Sequence, residues 1–251
     1  MENLAATKLV VFDVDGTLYK QRPVRLRMAR DIIIHCCKQL SLSSLSVIKN
    51  YRQYREYLGD TEFEKIVNNL VDNDQVSEQL LEDKVVQYVS YKTGISRDVV
   101  YDIVQDWINT RPLKYLIGAR YKGVKSFFDF CRENSIKIGI FSDYPAEKKI
   151  KALGLFADYI ISANDVNALK PNPKGLLQLM SMANIAPDKT IMIGDRPERD
   201  GAAAQKAHVL PMIFAEKVSS QQQSFNEIDG CYFFTQYLEL LSAFATARNV
   251  Q

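Results

Sequence analysis

The chain has 251 residues, 47% apolar and 25% charged, enough for one large or two moderate domains with real cores. Its net charge of +2 is too slight for a nucleic-acid surface, and no segment approaches the about 18 apolar residues that would suggest a membrane span. Cys36, Cys37, Cys131 and Cys231 show neither C-x-x-C spacing nor a histidine cluster, which argues against zinc and disulfides; with no export pattern at the N-terminus, a cytoplasmic location is expected.

The first informative stretch is KLVVFDVDGTLY, residues 8 to 19. Its apolar run Leu9 to Phe12 has the pattern of a strand buried on both faces of a parallel sheet. The strand ends in Asp13 and Asp15, then Gly16, which suits a sharp turn, and Thr17, whose hydroxyl can bond a carboxylate. Asp-Gly alone is an ordinary turn signal; two carboxylates delivered by a buried strand are costly unless used or neutralised.

Helical periodicity follows. Pro23 suits a first helical turn, with Leu26, Ala29, Ile33, Cys36, Cys37 and Leu40 as an apolar face. Further helices are expected at 43–58, 61–72, 76–92 and 96–109, with Gly94 as a stop and Ser96 as an N-cap. With no convincing strand, residues 21–114 are expected to form a separate helical domain inserted between residues 1–20 and 115–251.

After Pro112 the pattern alternates. A helix at 121–134 leads to a strand at 136–141, and Pro145 opens a helix carrying KKIKAL. Then come a strand at 158–162, a helix at 173–184, a strand at 190–194, a helix at 198–207 and a strand at 208–214. Pro211 places this last strand near the sheet edge. SSQQQS falls in a loop, and CYFF with the amphipathic 236–247 closes the chain. The fold class is α/β: a doubly wound, mostly parallel sheet, with its ligand site beyond the carboxyl ends of the strands.

Those ends carry the chemistry. Ser142 and the following Asp143 N–H suit a phosphate oxygen, although a serine there also caps turns; Lys170 precedes Pro171, although loop lysines are commonly solvated. Asp195 lies in GDRPERD with Asp200 five residues on. Like charges about 4 Å apart repel by roughly 4 kcal/mol at an effective dielectric near 20, so Asp13, Asp15, Asp195 and Asp200 against Lys170 call for a divalent cation. All-oxygen ligands beside a phosphate favour Mg²⁺. The KKIK run and Arg22, Arg25, Arg27 and Arg30 are read as solvated helix faces. His35, His208 and Trp107 are assigned to core or surface.

The apolar run with D-x-D-G-T, then Ser142, Lys170 and Asp195 in order, resembles the haloacid dehalogenase-like phosphohydrolase superfamily over about residues 5–20 and 115–214. The resemblance implies Asp13 as nucleophile and Asp15 as general acid and base, with a pKa raised by anionic neighbours. It implies Ser142, Asp143 and Lys170 at the phosphoryl oxygens. Asp13, Asp195 and the Asp15 carbonyl would ligate Mg²⁺, with Asp200 behind the ligands or orienting Lys170. Gly16 and Thr17 would support the first loop. The insert corresponds to an α-helical cap; Arg22, Arg25, Tyr51, Arg52, Tyr54 and Arg55 are candidate leaving-group contacts or simply packing faces. Arg196 and Arg199 face solvent, an anionic substrate or a partner.

The implied activity is hydrolysis of a small phosphorylated metabolite through an aspartyl-phosphate. Asp15 speaks against a dehalogenase, a superfamily phosphomutase stays open, and a phospho-receiver or non-catalytic binding protein is the rival from another class. Neither the monoester nor the oligomeric state is specified.

Overall fold

A computed structural model describes residues 2–39, 41–57, 81–216 and 227–249. It divides the chain into two compact units, one formed by Met1–Gln21 with Leu116–Gln251 and the other by Arg22–Tyr115.

The first unit contains β1 (Leu9–Phe12), β2 (Lys137–Ser142), β3 (Tyr159–Ser162), β4 (Thr190–Gly194), β5 (Leu210–Phe214), β6 (Glu227–Ile228) and β7 (Cys231–Phe234). They form one sheet in the order β3-β2-β1-β4-β5-β7-β6, parallel except for the β6–β7 hairpin. The chain winds from β1 through β2 to β3, then returns to β4 on the other side of β1. The carboxyl end of β1 therefore lies where the winding reverses, the crevice in which doubly wound sheets bind ligands.

All four residues of β1 are fully buried, each contributing about 1.5–3 kcal/mol relative to exposure. On one face Leu9 and Val11 join Phe141, Met192, Leu176 and Leu179 in a core cluster. On the other, the Phe12 ring lies 4.7 Å from that of Phe128 on the helix Val124–Glu133. The C-terminal helix Tyr237–Asn249 completes this layer, with the Tyr237 ring 5.3 Å from both Phe214 and Phe234.

Pro211 was expected near the sheet edge; β5 lies third from that edge, between β4 and β7. The β5–β7 ladder begins at Met212, so the residue that cannot donate falls one position short of it. SSQQQS lies outside the described residues.

The second unit shows helices and no strand among its described residues, including Ser43–Tyr57, Leu81–Thr93 and Arg97–Val104. The helix expected at 61–72 and the start of that at 76–92 lie outside the described residues. The helix at 97–104 continues as a π-helical turn, Gln105–Thr110, and Trp107 there packs its ring 5.1 Å from that of His35.

The apolar face of the helix Gln21–Gln39 differs from the one expected. Val24, Met28, Ile32 and Cys36 are buried, whereas Leu26 is 64% and Ile33 61% exposed. This helix carries apolar residues on two stripes, and local periodicity cannot decide which one the neighbouring helices cover. Leu40 lies outside the described residues.

Tyr51, Tyr54 and Arg55 are also buried, which favours the packing face over a leaving-group contact for these three. The Arg55 guanidinium donates to Glu82 at 2.9 Å and to the Tyr51 hydroxyl at 3.1 Å, and Tyr51 donates to Glu82 at 2.8 Å. A buried charge needs such a partner, and this one is spent inside the unit. No helix among the described residues is long and apolar enough to cross a membrane.

Candidate active site

Pairing with β4 continues one residue past β1, where the Asp13 N–H donates to the Ile193 carbonyl at 2.8 Å. This fixes the backbone from which a buried carboxylate projects. Asp13 Oδ1 accepts from Lys170 Nζ at 2.5 Å and Oδ2 accepts from the Thr17 hydroxyl at 3.0 Å. Thr17 Oγ1 is also 3.5 Å from Asp195 Oδ1, and the Thr17 carbonyl accepts from the Tyr237 hydroxyl at 3.0 Å. The turn between Asp13 and Thr17 needs Gly16, which sits at φ +101°, and a Cβ there would strike the Asp195 carboxylate.

The loop after β4 is built around Asp200, which is fully buried. Its Oδ2 accepts the N–H groups of Asp195 at 3.2 Å and Arg196 at 3.0 Å, and its Oδ1 accepts from Lys170 at 2.6 Å. Lys170 also donates to the Phe141 carbonyl at 3.2 Å. Three acceptors thus surround the Lys170 ammonium, which ties Asp13 to Asp200.

Ser142 ends β2, and its hydroxyl accepts the Tyr144 N–H at 3.3 Å, the turn-capping geometry. Asp143 ties three strand-end loops together. Its Oδ1 accepts the Lys170 N–H at 3.1 Å, and its Oδ2 lies 3.1 Å from Arg196 Nη2 and 3.5 Å from Arg199 Nη1. The two arginines therefore face inward to this carboxylate.

Asp15 departs from expectation. Its side chain accepts from Lys149 Nζ at 2.5 Å and from the Tyr19 hydroxyl, and it does not belong to the cluster formed by Asp13, Asp195 and Asp200. Burial works to raise its pKa, but the Lys149 ammonium and the hydrogen bonds from Lys149 and Tyr19 outweigh burial and hold it below the usual carboxylate range. The expected upward shift is reversed because the neighbour is a cation.

A family model described as haloacid dehalogenase-like hydrolase matches residues 7–208, which contain all of these strand-end residues. The chain belongs to the haloacid dehalogenase-like hydrolases.

The chain is 22% identical over 211 residues to a glyceraldehyde 3-phosphate phosphatase from Methanopyrus kandleri, covering 81% of this chain and 82% of that protein. It is 32% identical over 80 residues to the pyrophosphatase PpaX from Halalkalibacterium halodurans, a match spanning 30% of this chain and only 37% of that protein. In fold it is similar to a 2-haloacid dehalogenase from Pseudomonas syringae, with a TM-score of 0.64 at 17% identity over 96% of this chain and 99% of that one.

In this haloacid dehalogenase-like hydrolase, oxygens of Asp13, Asp195 and Asp200 lie within 4.8 Å of one another. Burial raises the Asp13 carboxyl, Lys170 pulls it back, and Asp200 and Asp195 push it up again, to about 8 on balance. Burial and then Asp200 raise Asp195 to about 6 against the pull of Arg196 and Lys170. These shifts mark negative charge that Lys170 alone does not balance. Asp200 is committed to Lys170 and two backbone N–H groups, which leaves Asp13 and Asp195 as an all-oxygen pair suited to a hard divalent cation.

The count made from sequence, with Lys170 as the sole cation, misses Lys149, Arg196 and Arg199. Lys149 was detectable in principle. It shares a helical stripe with Ala146, Ile150 and Leu153, all buried, whereas Lys148 and Lys151 are exposed.

Proposed function

We propose that the chain is a Mg²⁺-dependent phosphatase hydrolysing a small phosphate monoester through an aspartyl-phosphate on Asp13. The observation that carries this is the separate clamping of two carboxylates on one loop: Asp13 by Lys170 and Thr17, Asp15 by Lys149 and Tyr19. In this reading Asp13 is the nucleophile and Asp15, held apart from it, transfers the proton, which phosphoryl chemistry needs and displacement of a halide does not.

Asp13 attacks phosphorus while Asp15 protonates the leaving oxygen, and Asp15 then takes a proton from the attacking water. Lys149 favours the carboxylate form required for the second step. The negative charge of an arriving phosphoryl group acts in the opposite sense and favours the acid required for the first. Ser142 and the Asp143 N–H take phosphoryl oxygens, and Lys170 supplies fixed positive charge. Asp13 and Asp195, with the Asp15 carbonyl, would hold Mg²⁺, which when bound supplies charge neutralisation at the phosphoryl oxygens. Residues 21–114 serve as the cap domain, and residues 1–20 and 115–251 as the catalytic core.

The names of the relatives, a glyceraldehyde 3-phosphate phosphatase and a pyrophosphatase, support a small phosphorylated substrate. The test is phosphate release across a panel of phosphorylated metabolites, before and after exhaustive chelation. Activity is expected to vanish on chelation and return with Mg²⁺. Full activity without divalent metal would overturn the metal assignment; transfer to a second hydroxyl with no free phosphate would indicate a mutase.

A further inference from the structure

Lys149 is the inward-facing lysine of its helix, Glu147–Ala152, with its side chain 8% exposed. Its Nζ lies 2.5 Å from Asp15 Oδ2 and 5.2 Å from the centroid of the Tyr144 ring. Burying a lysine is costly unless it is paired, so this placement needs a compensating partner, and Asp15 is that partner. The other Asp15 oxygen accepts from the Tyr19 hydroxyl. Two donors on two different oxygens set both the position and the rotation of the carboxylate. Lys170, by contrast, donates to Asp13 and Asp200.

We propose that Lys149 is the positioning residue for Asp15, keeping its carboxyl group beside the departing oxygen while Lys170 keeps Asp13 against phosphorus. The proposal rests on the phosphatase function above. In the first half-reaction the bond from Asp13 to phosphorus forms, the bond from phosphorus to the leaving oxygen breaks, and the Asp15 proton passes to that oxygen to give the alcohol. In the second, water gives a proton to Asp15, its oxygen bonds to phosphorus, and the Asp13–phosphorus bond breaks to release phosphate.

Proton delivery matters most when the leaving group is a poor one, and kcat/KM reports only the steps up to its departure. Wild type, Lys149→Met and Lys149→Gln are compared with ethyl phosphate and with p-nitrophenyl phosphate, whose leaving group departs without a proton. Both variants are expected to lose about tenfold more kcat/KM with ethyl phosphate than with p-nitrophenyl phosphate. Lys149→Arg is expected to restore most of the difference. Combining Lys149→Met with Asp15→Asn is expected to cost no more than Asp15→Asn alone.

Equal losses with the two esters, or a further loss in the Asp15→Asn background, would overturn the positioning role and leave the phosphatase function intact. Wild-type protein that releases phosphate from neither ester and from no member of the metabolite panel would remove that function and the proposal with it.

Discussion

Replacing Asp13 by Asn is expected to lower phosphate release by on the order of 10³-fold or more while leaving the fold in place. Asn is nearly isosteric with Asp but cannot form the aspartyl-phosphate. Its amide oxygen can still accept from Lys170, and its amide hydrogens can donate to the Thr17 hydroxyl, so neither partner is orphaned. The change also removes a negative charge that Asp195 and Asp200 oppose. Thermal unfolding should therefore shift little, by about 1 kcal/mol or less. Phosphate release by the purified variant checks the first expectation and circular dichroism melting the second; wild-type turnover would reject Asp13 as the nucleophile.

Lys170→Met should be damaging in a different way, through both stability and activity. Its ammonium is fully buried and bonded to Asp13 and Asp200, so removing it strands two buried carboxylates. Breaking a buried pair by deleting one partner costs about 3–5 kcal/mol. For a chain of this size that corresponds to a drop in Tm of roughly 6–20 °C. Activity should fall with it, because Asp13 loses the donor that aims it and the Asp195–Arg196 loop loses the counterion of its Asp200 brace. A variant melting within about 2 °C of wild type would show that this lysine does not hold the loops together.

What these variants probe was legible in the sequence to different depths. β1 could be read because an unbroken apolar run ending in acids has few other structural solutions, and the order of the strand ends then followed from the α/β alternation. The inward arginines could not be read in the same way. Arg196 and Arg199 turn toward Asp143, and that contact spans more than fifty residues of sequence. Local periodicity carries no information about such a pair.

Lys149 was hidden for another reason. A basic run normally marks a solvated face, and only its registration with Ala146 and Ile150 sets one lysine apart. The direction of the Asp15 shift failed with it, since the expected sign depended on anionic neighbours and the atom at 2.5 Å is cationic. The buried stripe of the helix Gln21–Gln39 was misjudged because helix facing is settled by partners distant in sequence.

If the phosphoryl group passes through Asp13, acid quenching during turnover traps it there. Protein mixed with excess p-nitrophenyl phosphate and Mg²⁺ is quenched in acid within the first turnovers, digested, and searched by mass spectrometry for the mass of a phosphoryl group. That group is expected on the peptide bearing Asp13 and is expected to be absent in Asp13→Asn. Steady phosphate release with the adduct on another residue, or with none in repeated quenches across the burst, would contradict it.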